Sequence, residues 1–224
     1  MSDNISQENS AITVSQVDQV KSSILQAALS NFAKHGFGGA RIDEIARDAG
    51  VNKATIYYHI GGKEALYRAI MVSTFTRVAS QVRERVARAE GAVEKLRAYI
   101  RAIADNLNVS APHFSAVIMR ELASGGGRLP AEAFDNMRLI LTTMDEILRE
   151  GAREGTLREA DPQTIHFMIV GGLNFLIVTG AIRGRMKAEN PVLGQSERSG
   201  VALGDSVAGL ILNGLARHDL MDKE

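Results

Sequence analysis

The sequence predicts an all-α protein, with an N-terminal three-helix helix-turn-helix domain followed by a larger C-terminal helical domain. Apolar residues recur every three or four positions through most of the chain, and no segment alternates as a half-buried strand does. Glycine and proline separate these periodic segments. With 224 residues, 45% of them hydrophobic, the chain is long enough for one or two domains with buried cores.

The first domain is predicted over residues 17–62, after a polar, disordered arm at 1–16. Its first helix ends at Lys34, His35 and Gly36, two basic residues followed by a glycine. A short helix then stops at Gly50, and a third begins after Asn52, whose side chain can cap it. The pair Gly61-Gly62 ends this domain and is expected to loosen the hinge to the next one.

The second domain is predicted over residues 63–224. Its first helix runs from Lys63 to the late 80s and ends at Gly91, and later helices lie near 92–108, 112–124, 130–154, 161–184 and 200–218. Residues 184–200 are predicted to form a surface loop. The stretch 165–182 is the most apolar, but His166 and Asn174 interrupt it, so a helix buried between two subunits is favoured over a membrane span.

Overall composition excludes several classes of protein. The 26 basic and 26 acidic side chains balance, so a nucleic-acid site must be a local feature. The absence of cysteine excludes a disulfide scaffold and a thiolate metal site, and it suits a reducing cytoplasm. The polar N-terminus lacks the apolar run of a secretory signal. A cytoplasmic location is therefore predicted.

The most informative stretch is 41–63, RIDEIARDAGVNKATIYYHIGGK. A helix-turn-helix needs a small residue inside its first helix and a glycine at the turn, and Ala46 and Gly50 supply them. Residues 21–68 contain seven Lys and Arg against four Asp and Glu, and no acidic residue lies between Ala49 and Lys63. A DNA face unopposed by its own carboxylates is therefore predicted.

Four motifs in the first third of the chain together resemble the DNA-binding domain of the tetracycline-repressor (TetR/AcrR) family. They are Ile45-Ala46, Ala49-Gly50-Val51, the run Thr55 to His59, and Lys63-Glu64-Ala65-Leu66. The resemblance implies a homodimer that binds a palindromic double-stranded DNA operator. It also implies a C-terminal domain for dimerisation and a small-molecule effector, and repression that the effector relieves.

The resemblance also assigns roles to residues at the matching positions. Thr55, Tyr58 and Lys63 would contact phosphates, and Arg41, where the family commonly has threonine, can reach a phosphate as well. Asn52, Lys53, Ala54 and Tyr57 would face the major groove, and His59 lies between the two groups. The last two helices would form a four-helix bundle with the partner, packed through the small residues Gly171, Gly172, Gly180, Ala208 and Gly209.

Candidates for effector binding are polar or large apolar side chains on the later helices. Each has an ordinary alternative, since buried polar groups usually satisfy structural hydrogen bonds and apolar ones usually fill the core. No cofactor, metal site or catalytic residue is predicted, because the five histidines lack metal spacing and no Gly-x-Ser-x-Gly element occurs. The candidates are His113, Phe114, Met119, Arg120, Met144, His166, Phe167 and Asn174.

Three hypotheses of function follow. The leading one is a DNA-binding transcriptional regulator, a repressor relieved by a ligand. The second is a ligand-binding or protein-binding module with a vestigial helix-turn-helix, which would bind no specific DNA. The third, an enzyme on a helical bundle, is disfavoured because no acid, base or metal cluster stands out.

Overall fold

A computed structural model describes residues 2–109, 113–189 and 200–216, and the regular secondary structure in this part of the chain is helical apart from one isolated bridge between Leu157 and Ala216. The predicted all-α class is confirmed. The described helices are α1 (Ser2–Gly39), α2 (Ile42–Asp48), α3 (Lys53–His59), α4 (Lys63–Ala87), α5 (Gly91–Val109), α6 (His113–Ala123), α7 (Ala131–Glu154), α8 (Pro162–Val178), α9 (Gly180–Glu189) and α10 (Gly200–Leu215).

The head of the molecule consists of α1 to α3 and the first half of α4. Its core is a cluster of fully buried apolar side chains that includes Ile24, Phe32, Ile45, Ile56 and Leu66. Helix α6 and the loop after it also contribute, through Phe114, Val117, Ile118 and Leu129. The head therefore shares its core with the larger domain, and a division at residues 62 and 63 stays a prediction.

Helix α1 differs from the prediction at its N-terminal end. It begins at Ser2, whereas residues 1–16 were expected to form a disordered arm. The chain has no glycine or proline before Gly36, so no residue in this stretch breaks a helix. The predicted stop at Gly36 is confirmed, because this residue has φ 69° and ψ 173°, a kink within α1.

The second core lies among α4, α5, α7, α8 and α10. Fully buried side chains such as Tyr99, Leu96, Met144, Ile147 and Leu157 fill it. Helix α4 ends at Ala87, in the late 80s as predicted, but Gly91, which was expected to end it, instead begins α5 with φ 72°. Residues 88–90 lie between the two helices, so α4 ends about one turn before Gly91.

The predicted single helix over 161–184 is wrong, because it divides into α8 and α9 with a bend of 59°. The Thr179 hydroxyl donates to the Phe175 carbonyl at 2.6 Å, and the Arg183 guanidinium donates to the Leu176 carbonyl at 2.6 Å. These side chains compete with the backbone ladder at the break. Helix α9 continues to Glu189, so residues 184–189 are helical rather than loop, and residues 190–199 lie outside the described part.

No single helix among the described residues is long and apolar enough to cross a membrane. The bent pair Pro162–Val178 and Gly180–Met186 passes the same test of length and composition only when its two members are taken together.

Candidate nucleic-acid interface

The turn between α2 and α3 has the geometry that the sequence predicted. Gly50 has φ 69°, a conformation that side chains disfavour, and the Val51 amide donates to the Ala46 carbonyl at 3.0 Å. Ile45, Ala46 and Ile56 are buried between the two helices. The crossing of α2 and α3 is thus fixed by packing on one side of the turn and by backbone conformation at its tip.

Asn52 caps α3, as predicted. Its Oδ1 accepts from the Thr55 amide at 2.8 Å and from the Thr55 hydroxyl at 2.9 Å. The side-chain oxygen of Asn52 and the hydroxyl proton of Thr55 are therefore used within the protein. Asn52 can offer its amide nitrogen to a base, whereas Thr55 can donate its hydroxyl to a phosphate only by giving up the hydroxyl bond to Asn52.

The outward side of α3 exposes two aromatic side chains that the head does not cover. Tyr58 is 85% exposed and Tyr57 is 51% exposed, and the ring of His59 packs edge-on against Tyr58 at 5.0 Å. Ala54, Lys53 and the preceding Arg41 are exposed as well. These residues form one surface, the α3 face, in which phenol hydroxyls and cations are presented together.

One electrostatic expectation for this surface is wrong. The Lys53 ammonium lies 3.0 Å from the Asp43 carboxylate of α2, so a carboxylate does oppose a cation on the α3 face. The sequence count missed it because Asp43 lies ten residues earlier and is brought back by the turn. Arg47 and Asp48 form the predicted surface pair at 3.1 Å, and Asp48 also accepts from Asn31.

Lys63 lies at the first residue of α4, four residues after α3 ends. Its ammonium donates to the carbonyls of Ala40 at 3.3 Å and Gly38 at 3.5 Å, and it lies 4.8 Å from the centre of the Phe37 ring. An ammonium group has three donors, so this arrangement leaves one for an outside acceptor. The lysine is held at the end of α1 rather than extended into solvent.

The eight candidates for effector binding do not form one site. Phe114 is in the core of the head, Met144 is in the second core, and His113 and Phe167 are exposed. Met119 is half-buried. Arg120 donates to the carbonyls of Phe32 and Ala33 at 3.1 and 3.2 Å, where it closes the end of α1. His166 and Asn174 are both buried on α8.

His166 and Tyr99 form a buried hydrogen-bonded pair, with Tyr99 Oη 2.7 Å from His166 Nδ1. Burial lowers the pKa of His166 to about 4 and raises that of the Tyr99 hydroxyl, so both are neutral near pH 7. Asn174 donates to the Val170 carbonyl, while its Oδ1 and the Ser115 hydroxyl are buried without a hydrogen-bond partner. His166 thus has a structural partner, and Asn174 and Ser115 retain unused polar capacity.

Sequence reasoning missed a polar connection between α6 and the head. The Tyr67 hydroxyl of α4 donates to Glu121 Oε2 at 2.9 Å, and the Arg128 amide donates to Glu121 Oε1 at 2.7 Å. Burial, and then the Glu121 carboxylate, raise the pKa of the Tyr67 hydroxyl. Glu121 is buried, with 4% of its surface exposed. Since Tyr67 and Glu121 are 54 residues apart, no local pattern pointed to this contact.

The described residues of the larger domain line two surface pockets of note. One, of about 500 Å³, lies among α4, α5 and α7 and includes the Lys95–Glu150 ion pair, and the other, of about 710 Å³, lies beside α7. None of the eight effector candidates lines either pocket. In the described part of the chain, no three His, Cys, Asp or Glu side chains are grouped as metal ligands would be.

Comparison with known families decides what the helix-turn-helix and the larger domain are. Residues 24–70 match the profile of bacterial regulatory proteins of the tetR family, and residues 89–178 match the tetracyclin repressor-like C-terminal domain. The chain belongs to the TetR family. The predicted resemblance and function are confirmed, and this TetR-family protein is a DNA-binding transcriptional regulator.

Individual relatives agree with this placement. The regulator is 29% identical over 156 residues to the transcriptional regulator RutR of Escherichia coli, covering 68% of this chain and 71% of RutR. It is 27% identical over 169 residues to the transcriptional repressor NicS of Pseudomonas putida, covering 72% and 77%. The fatty acid degradation regulator FadR of Bacillus halodurans superposes with a TM-score of 0.66 at 26% identity, over 88% of this chain and 97% of that one.

Proposed function

We propose that this TetR-family regulator is a repressor that binds an inverted-repeat operator as a homodimer and is released by a small molecule. The observation that carries the proposal is the α3 face, where Tyr57, Tyr58 and Lys53 are exposed on a helix held rigidly by Gly50 and Asn52. A rigid, exposed helix after a tight turn is what the major groove admits. We propose a cytoplasmic location and no enzymatic activity.

Phosphate and base contacts divide along the α3 face. We propose that Tyr58, Thr55, Arg41 and Lys63 contact the DNA backbone, and that Ala54, Tyr57, Lys53 and Asn52 face the base edges. His59, packed on Tyr58, supports the first group. Lys53 must exchange Asp43 for a guanine edge, and because the Lys53–Asp43 pair is exposed, that exchange costs little free energy.

The second copy is proposed to pack on an exposed apolar surface of α8 and α10. Met168 and Phe175 lie seven residues apart on α8 with Gly171 and Gly172 between them, and Leu210 of α10 is 75% exposed. A Cβ at either glycine would meet no atom of the same subunit. Patches of this kind mark interfaces. Ala208, predicted to face the partner, is instead fully buried within its own subunit.

The effector is proposed to bind in the larger domain and to favour an arrangement of the two heads that does not fit DNA. FadR of Bacillus halodurans is a fatty acid degradation regulator, and a FadR structure from Bacillus subtilis holds stearoyl-CoA. Stearoyl-CoA is therefore the first probe, scored by release of bound DNA, and octanoyl-CoA serves as a matched control with the same headgroup.

The proposed function is tested by selecting fragments from random DNA with the purified protein at two salt concentrations. We expect an enriched inverted repeat for the wild type and none for Tyr58→Ala. A folded protein that enriches no sequence at either salt concentration would contradict sequence-specific repression and favour a binding module with a disused helix-turn-helix.

A further inference from the structure

The ring of Phe37 contacts two cations that come from different parts of the chain. The Lys63 ammonium lies 4.8 Å from the ring centre and the Arg128 guanidinium carbon lies 5.0 Å from it. Both distances are within the range of cation–π attraction. Lys63 begins α4 beside the α3 face, whereas Arg128 lies in the loop that joins α6 to α7 in the larger domain.

The position of the Phe37 ring is fixed by two other aromatic side chains. Phe32 stacks on it with centroids 5.8 Å apart, and Tyr67 packs edge-on at 5.3 Å. Tyr67 is in turn tied to Glu121 of α6 by its hydroxyl. The ring therefore has little room to move unless α6 moves with it.

Arg128 is fixed through its backbone by the same carboxylate. Glu121 is only 4% exposed, and its two oxygens accept one hydrogen bond each, from the Arg128 amide and the Tyr67 hydroxyl. Hydrogen bonds to a buried carboxylate are short and strong, so they set the loop geometry closely. Glu121 thus holds both Arg128 and the α4 side chain that packs on Phe37.

We infer that Arg128 and Glu121 are positioning residues for DNA binding, acting through Phe37 on the Lys63 ammonium. The inference rests on the proposed phosphate contact of Lys63. A lysine is a point charge on a flexible stem, and two carbonyls and the Phe37 ring restrict it here. With the ring in place, the remaining donor of Lys63 is presented in one direction, and a phosphate need not order the side chain itself.

A double-mutant cycle tests this inference on the duplex enriched by the selection. Operator affinity is measured over a salt series for Lys63→Ala, Arg128→Gln, Arg128→Lys and the Lys63→Ala/Arg128→Gln double variant. Arg138→Gln is the matched control, because Arg138 is exposed and pairs with Asp135 on its own helix. Phe37→Leu is a second variant, which keeps an apolar side chain but removes the aromatic face.

We expect Lys63→Ala to make the slope of log affinity against log salt less steep by about 0.9, the value for one lost phosphate contact. Arg128→Gln and Phe37→Leu should weaken binding about threefold to tenfold and should also make the slope less steep. Arg128→Lys should retain most of the affinity. The double variant should bind as Lys63→Ala alone does, since residues that act through one another are not additive.

Three results would overturn the inference, and they differ in whether they also affect the proposed function. If the double variant lost affinity by the product of the two single losses, Arg128 would not act through Lys63. The same conclusion would follow if Arg128→Gln kept wild-type affinity while Lys63→Ala bound more weakly. Either result would leave the proposed function untouched. An unchanged salt slope for Lys63→Ala would remove the phosphate contact itself, and a loss of binding in Tyr58→Ala would show that the DNA-binding proposal still stands.

Discussion

At the scale of single residues, Tyr58 is the most exposed aromatic side chain among the described residues, and nothing in the head explains its position. We predict that Tyr58→Ala weakens operator binding at least tenfold, because a hydrogen bond to a charged phosphate contributes about 1.5–3 kcal/mol. Tyr58→Phe should reproduce most of the loss. Binding isotherms measure it, and Phe134→Ala, an exposed ring on α7, is the control. Equal affinity for wild type and Tyr58→Phe would remove the phosphate role of the hydroxyl.

Asn52 has a structural role that can be separated from its proposed base contact. Asn52→Ala should lower the free energy of unfolding by about 1 kcal/mol, since it removes the cap of α3. Asn52→Ser should restore stability because serine also caps. Chemical denaturation measures both variants. If the serine variant is stable yet binds DNA poorly, the amide nitrogen carries the base contact, whereas an alanine variant as stable as wild type would refute the cap.

His166 gives the protein a defined pH dependence of stability. Burial lowers the pKa of His166 to about 4 in the folded state, whereas in the unfolded chain it is about 6.5. Between these two pH values the unfolded chain binds one more proton than the folded protein. Stability is therefore complete above about pH 6.5 and falls as the pH decreases toward 4. One pKa unit corresponds to ~1.4 kcal/mol, so the loss across the whole window is up to about 3 kcal/mol.

The His166→Gln variant is the control for this prediction, because its amide can still accept from Tyr99 but does not titrate in this range. Thermal unfolding at a series of pH values should show a shallower decline for the variant between pH 6.5 and 4. Parallel curves for the two proteins would show that His166 is not the source of the decline.

At the scale of helices, the contact of α7 with the segment after it depends on Gly151. A Cβ there would lie 2.5 Å from the Cγ and Cδ1 of Leu157, a side chain that is fully buried. We predict that Gly151→Ala lowers the unfolding free energy by about 1–3 kcal/mol through overpacking. Gly184→Ala on α9 meets no atom and should be neutral or slightly stabilising. Equal stability of the two variants would contradict the close packing.

The elements of the head were predictable because their signals are local. Gly50 takes the left-handed conformation of the turn, Asn52 caps α3, and Gly36 kinks α1, each within a few residues of the feature it sets. The break between α8 and α9 was missed because it depends on side-chain hydrogen bonds of Thr179 and Arg183 to backbone carbonyls. In the sequence those residues look like ordinary members of a continuing helix.

The effector candidates could not be placed from sequence, for a physical reason. In a domain of packed helices, which face of each helix points inward is decided by neighbours far away in the chain. Phe114 lies in the core of the head, Arg120 donates to carbonyls near the end of α1, and Ala208 is buried within its own subunit, and all three placements depend on crossings between distant helices. Residue type alone fixed none of them.

At the scale of the whole molecule, the exposed surface of α8 and α10 predicts that the protein must dimerise in order to bind its operator. Phe175→Glu or Leu210→Glu should produce monomers in analytical ultracentrifugation, because a charge would be buried unpaired at the centre of the interface. The monomer should lose most operator affinity while its helix content is unchanged. Leu122→Glu, at an exposed residue of α6, is the control. A dimer that persists in both variants would place the interface elsewhere.

Helix α6 packs on α1 within the core of the head, and Glu121 joins Tyr67 to the loop of Arg128. Any displacement of α6 must therefore break buried hydrogen bonds or move α1 and α4 with it. In the proposed dimer, this arrangement would let a change in the larger domain alter the position of the α3 face relative to its copy. Repression and release would then be two arrangements of the same heads.

The measurement that tests the account most directly is a hydroxyl-radical footprint of the wild-type protein on the selected fragment. Two copies of the α3 face related by a two-fold axis should protect two symmetric patches, with centres about 34–36 Å apart along the duplex, one helical turn. Protection of a single patch, or of patches without two-fold symmetry, would contradict a dimer that reads an inverted repeat through α3.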